Sequence, residues 1–158
     1  MKTFLHCAAL LLLGSSLLAE SPLELPPEEF PRVPATEPEE ALSTFEIAPG
    51  FRLVLAAHER EVTVPIAMTF DEQGQAWVLE MRGYSERREE ALGRIRRLAD
   101  RDGDGIFEES TIFKDGLKWP TGITCYQGGV FVGATPDLFY FRDTDGDGVC
   151  DEERVVFT

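Results

Sequence analysis

Two stretches of this sequence follow one pattern, and the distance between them limits what the chain can fold into. Asp100-Arg101-Asp102-Gly103-Asp104-Gly105, with Glu108 beyond it, is matched by Asp143-Thr144-Asp145-Gly146-Asp147-Gly148, with Asp151 beyond it. In both, carboxylates stand at loop positions 1, 3, 5 and 9 and a glycine at 6. Such a loop suits calcium, which takes about six to eight oxygens, one of them a backbone carbonyl from position 7, here Ile106 or Val149. Asp and Gly also make good turns without any ion. Three alternating carboxylates, however, repel one another unless a cation offsets them. The candidate ligands are therefore Asp100, Asp102, Asp104, Ile106 and Glu108, and Asp143, Asp145, Asp147, Val149 and Asp151. Position 12, where an EF-hand has a bidentate Glu, is Thr111 or Arg154. The flanks read as strands, so these are strand-to-strand turns rather than EF-hands.

The repeat extends beyond the loops. Pro65 to Phe70 aligns with Pro120 to Cys125, Gln75-Ala76-Trp77-Val78 with Gly129-Val130-Phe131-Val132, and Ile95 to Asp100 with Leu138 to Asp143. The proline offset is 55 residues and the aspartate offset is 43. The difference of 12 marks an insertion in the first copy, at about 84–93 (YSERREEALG), expected as a surface loop or one helical turn. Strands are expected at 51–57, 66–70, 75–80, 94–99, 111–114, 122–126, 129–133, 138–142 and 154–157, rich in Val, Ile, Phe, Tyr and Trp and separated by Gly/Asp/Pro clusters. Four strands per repeat of about 40–50 residues predict an all-β fold, a β-propeller. Propellers close with about four to eight blades. Only about two to three four-stranded blades fit here, so the propeller is expected to be incomplete and the chain an N-terminal fragment.

The N-terminus reads as an export signal over 1–19, with Lys2 followed by an apolar run at 5–13 and small residues before a cleavage site at Ala19. The alternative is a retained anchor, which would associate the protein with a membrane. Residues 20–40 hold six of the ten prolines and seven glutamates, a composition expected of a linker. The domain is expected over 41–158. The net charge of -14 argues against nucleic acid as a partner. Removing the signal leaves Cys125 and Cys150, which could pair outside the cytoplasm or remain buried thiols.

A second candidate site is Glu80-Met81-Arg82-Gly83-Tyr84, where a strand ends and the insertion begins. Arg82 could hold an anionic group, with Glu80 orienting it; a plain ion pair at a strand end is the other reading. His58, in the charged run His58-Glu59-Arg60-Glu61, is a poor general base, and Trp77 and Trp119 are expected as packing residues.

Taken together, the motifs from Pro65 through Val78, Glu80-Met81-Arg82-Gly83-Tyr84, Gly93-Arg94-Ile95, the two acidic loops and Gly116-Leu117-Lys118-Trp119-Pro120-Thr121-Gly122 resemble a known family. It is the propeller of exported membrane-bound dehydrogenase domain proteins, which is similar to the glucose/sorbosone dehydrogenases. The resemblance implies a six-bladed propeller with calcium and pyrroloquinoline quinone (PQQ) as cofactors and a sugar or alcohol as substrate. It places Arg82 and Glu80 near the quinone, since Glu80-Met81-Arg82-Gly83 is similar to that family's Glu-Arg-Pro-Gly segment. No histidine here matches the family's catalytic one. The expected function is thus a quinone-dependent dehydrogenase propeller, located in the periplasm or outside the cell. The alternative is a non-catalytic, calcium-stabilised propeller that binds carbohydrate or protein.

Overall fold

The computed structural model describes residues 33–158. The export signal expected at 1–19, and the linker up to residue 32, lie outside the described residues. The compact unit runs Thr36–Thr158. Its first element is a single α-turn, Pro38–Ala41, which takes in the end of the expected linker, followed by a 3-10 turn, Leu42–Thr44. Among the described residues no helix is long and apolar enough to cross a membrane.

Eight strands follow: β1 (Pro65–Phe70), β2 (Ala76–Glu80), β3 (Gly93–Ala99), β4 (Glu109–Leu117), β5 (Pro120–Tyr126), β6 (Gly129–Ala134), β7 (Asp137–Arg142) and β8 (Glu152–Phe157). They form two antiparallel four-stranded sheets in plain sequence order, β1-β2-β3-β4 and β5-β6-β7-β8. The fold is therefore all-β in its regular elements, with few helices. The sheets repeat one another in detail. Pro65 pairs with Glu80 and Ala67 with Leu79, with a register shift between; Pro120 pairs with Ala134 and Gly122 with Gly133, with the same shift. The residue before each proline has a positive φ, 48° at Val64 and 42° at Trp119.

The turns follow from their residues. Asp71 Oδ1 accepts the Gln73 and Gln75 amides and its Oδ2 accepts Trp77 Nε1 at 2.9 Å, fixing the β1–β2 turn. The two-residue β5–β6 turn has both central residues, Gln127 and Gly128, at positive φ, the geometry that matches strand twist in a tight hairpin. The insertion makes the expected loop with one 3-10 turn, Arg88–Glu90.

Alternation along the strands gives each sheet two faces. In sheet 1 the front carries Met68, Phe70, Ala76, Val78 and Leu98, and the back carries Ala67, Trp77, Leu79 and Ile95. In sheet 2 the equivalent front residues are Ile123, Cys125, Val130, Val132 and Phe141, and the back has Tyr126, Phe131 and Tyr140. The main core joins Trp77, Leu79, Ile95, Phe113 and Leu117 to Val130, Val132, Ala134 and Phe141. The back of sheet 1 thus packs on the front of sheet 2. Every residue of β2 is buried because both its faces are covered.

One expected strand is absent. Residues 51–57 enter no ladder among the described residues. Both sheets already have four strands of their own, so this segment's backbone has no strand beside it. It lies instead against the front of sheet 1, where Ala57, Val62 and Phe107 pack on Ala76, Val78 and Leu98.

Candidate metal centres

The two acidic loops connect β3 to β4 and β7 to β8 and have one hydrogen-bond plan. Asp100 accepts the Gly103 and Gly105 amides at 2.7 and 2.9 Å; Asp143 accepts those of Gly146 and Gly148 at 2.6 and 2.8 Å. Position 3 accepts from position 5 at 3.2 Å in both loops, and position 5 accepts from position 7 at 2.8 Å in both. The carboxylate at position 9, Glu108 or Asp151, accepts the amide of position 2 at 2.9 Å. These bonds are local, so each loop's shape is encoded by its own Asx and Gly residues. Gly103, Gly105, Gly146 and Gly148 all have φ between 79° and 93°, a region that glycine enters freely.

Carboxylate oxygens of Asp100, Asp102, Asp104 and Glu108 lie within 4.8 Å of one another, as do those of Asp143, Asp145 and Asp151. Asp147 stands outside the second group and accepts the Val149 amide. These all-oxygen clusters could hold a metal ion, and their donor set suits a hard cation such as calcium. Backbone N–H groups hold the Asp100 carboxyl below the usual carboxylate range, Gly105 first, and do the same for Asp143, Gly146 first. Both groups therefore stay ionised and available as ligands down to acid pH.

Each loop is also tied to what lies in front of it. The position-8 amide of the second loop, Cys150 N–H, donates to Phe113 O of β4 at 2.8 Å. Arg97, on the back of sheet 1, reaches beneath the same loop: a Cβ added to Gly148 would stand 2.8 Å from its Nη2. Lys114 pairs with Glu153 at 2.6 Å across the sheets. The position-8 amide of the first loop, Phe107 N–H, donates to Ala56 O at 2.9 Å.

The strand-end candidates separate. Glu80 is fully buried; its carboxylate pairs with Arg94 and, at 3.0 Å, with Arg96, and it accepts the Thr63 amide at 2.7 Å. Arg96 also donates to Ser110 Oγ at 2.9 Å, and that hydroxyl donates to Glu61 O. Arg82 instead donates to Leu92 O at 3.0 Å and faces Asp115 at 3.4 Å. No hydrogen bond joins Glu80 to Arg82. The β2–β3 register explains this, since it sets Glu80 opposite Arg94. Arg94, Arg96 and Ser110 were missed in the sequence; extending the hairpin register from Trp77 through Glu80 would have found the first two. His58 pairs with Glu61 at 3.5 Å. Trp119 packs between strand-end side chains, 5.6 Å from the Tyr84 ring and 5.5 Å from the Arg88 guanidinium. Cys125 and Cys150 are free thiols, and burial raises the pKa of both.

A family model described as "Domain of unknown function (DUF7133)" matches residues 37–158. No curated protein matches the chain. Among solved structures it is similar to one described as "Iodide structure of Trichoderma reesei Carbohydrate-Active Enzymes Family AA12", at 19% identity and a TM-score of 0.45. The similarity covers 60% of this chain and 23% of that one, so the chain spans about a quarter of the length of the structure it matches.

Proposed function

Because the chain belongs to the family described as Domain of unknown function (DUF7133), which its residues 37–158 match, we infer its function from geometry: it is the N-terminal part of an exported, calcium-binding β-propeller. The observation that carries this reading is the stacking of two congruent sheets back on front. A two-layer sandwich of duplicated sheets would bury the same face of each. Here each sheet uses a different face, so the front of sheet 1 at Met68 and Phe70, beside the part covered by Ala57, Val62 and Phe107, and the back of sheet 2 remain open to further copies. Repeated contacts of this head-to-tail kind either close into a ring or run on without end. The back of sheet 2 keeps the exposure such a contact would cover, with Tyr126 51% and Phe157 73% exposed.

Calcium fits the two acidic loops. Asp100, Asp102, Asp104 and Glu108 would hold one ion and Asp143, Asp145 and Asp151 another, with Asp147 and the carbonyls of Ile106 and Val149 as further candidates. A bound ion would offset the repulsion among the carboxylates. Because the second loop is bonded to β4 and covers Arg97, its ion would also steady the contact between the sheets. The role is structural.

The described residues do not by themselves fit a quinone. Glu80 is consumed by two arginines, Arg82 is shared between Leu92 O and Asp115, and His58 is engaged by Glu61. The resemblance to membrane-bound dehydrogenase domain proteins assigns oxidation of a sugar or alcohol to the whole propeller, with its redox centre among residues outside this chain. A second reading is favoured by the sequestered Glu80: a non-catalytic calcium-stabilised propeller that binds carbohydrate or protein outside the cytoplasm. The full-length polypeptide, loaded with calcium and reconstituted with PQQ, separates the two in a dye-reduction assay against sugars and alcohols. Turnover supports the oxidoreductase. A folded, calcium-loaded sample that reduces no dye supports the binding module.

A further inference from the structure

The two acidic loops share one hydrogen-bond plan but not one electrostatic setting. In the first, four carboxylates, Asp100, Asp102, Asp104 and Glu108, bring oxygens within 4.8 Å of one another; in the second three do, Asp143, Asp145 and Asp151. The position-9 carboxylates differ as well. Glu108 accepts the Arg101 amide on Oε2 at 2.9 Å, which leaves its other oxygen for an ion. Asp151 gives Oδ1 to the Thr144 amide at 2.9 Å and Oδ2 to the Thr144 hydroxyl at 2.6 Å. An ion entering the second loop must compete for that carboxylate.

Beneath the loops the difference is larger. A Cβ added to Gly148, at position 6 of the second loop, would stand 2.8 Å from Arg97 Nη2 and 3.7 Å from its Cζ. One added to Gly105, at position 6 of the first loop, would meet nothing within 4 Å. The Arg97 guanidinium thus lies against the second loop, and the first has no such neighbour at that place. Arg101 and Lys114, two other cations at this end, are neutralised by Glu109 at 2.5 Å and Glu153 at 2.6 Å. Arg97 has no carboxylate in an ion pair with it among the described residues. It sits 5.8 Å from the centre of the Trp77 ring, which attracts a cation without cancelling its charge. A fixed positive charge held there offsets the repulsion among carboxylates in the empty loop and repels a divalent ion in the filled one. Both effects weaken binding.

We propose that the two loops take calcium in order, the first before the second, and that Arg97 is the residue that sets the order. The first loop stays loaded. The second, bonded to β4 through Cys150 N–H and Phe113 O, is the one that responds to calcium concentration. The inference rests on the calcium reading of both loops and adds to it which of them is regulated, and by which side chain.

Calcium titration of the full-length polypeptide, isotopically labelled at glycine nitrogen and followed by NMR, tests it. The Gly105 and Gly148 amides donate to Asp100 and Asp143, so each signal reports its own loop. The Gly105 signal should move at a calcium concentration at least about tenfold below that for Gly148. Arg97→Gln should lower the Gly148 midpoint by about tenfold and leave that of Gly105 in place. Arg97→Lys, which keeps the charge, should preserve the gap. Equal midpoints, a second loop that fills first, or a Gly148 midpoint that stays or rises in Arg97→Gln overturns the proposal. An Arg97→Lys variant that behaves like Arg97→Gln also overturns it, because packing rather than charge then sets the order. In each of these cases signals that move with calcium leave the calcium reading standing. Glycine signals that never move sink both.

Discussion

Glu80 shows how far a residue's role depends on its neighbours. Alone in the sequence it is a carboxylate two residues from Arg82; in the fold it is the shared anion of Arg94 and Arg96. Removing one member of a buried ionic cluster leaves the others unpaired. Glu80→Ala should therefore destabilise the domain by about 3–5 kcal/mol in urea unfolding. Arg82→Ala breaks a half-exposed pair with Asp115, screened by solvent, and should cost less than about 1 kcal/mol. Equal losses would mean that the buried cluster carries no special weight. Asp100 and Asp143 predict a pH effect. Their folded pKa values lie below the unfolded one, so the unfolded chain takes up protons first as pH falls. Their stabilisation is complete above about pH 4 and is lost as pH drops through the lower folded values. In chelator, the melting temperature should fall below about pH 4, and Asp100→Asn with Asp143→Asn should lessen that fall. An unchanged acid profile in the double variant would contradict this. The turns at the two acidic loops were legible residue by residue because most of the bonds that shape them are local. The Glu80 cluster was not, because its partners are 14 and 16 residues away across a hairpin.

At the scale of elements, tight contacts between strands are carried by small residues. Gly93 begins β3 where β4 passes into β5; a Cβ there would lie 2.5 Å from Pro120 Cδ and 2.7 Å from Leu117 O. Gly93→Ala should cost about 1–3 kcal/mol through overpacking. The same change at Gly122, which has open space around it, should cost less, and thermal melts of the two variants check the order. The eight strands that pair were all readable from runs of β-branched and aromatic residues between turn signals. Residues 51–57 carry the same composition yet join no ladder, because a strand needs a neighbour as well as a propensity.

For the whole molecule, back-on-front stacking links everything else. Two acidic loops of the same shape sit at corresponding corners of two sheets, and the second is bonded to the sheet before it. Calcium in these loops would act on the joints between repeats rather than on a reaction centre. An ion held by the folded loops would stabilise the folded state, so on the proposed reading a calcium-loaded sample should melt at least about 5 °C above a chelated one. The number of ions bound is the most direct test. Equilibrium dialysis followed by metal analysis should find two calcium ions in these two loops, one after either Asp102→Ala or Asp145→Ala, and none after both. A calcium content unmoved by both substitutions, or no calcium retained by the folded wild-type chain, would contradict the account.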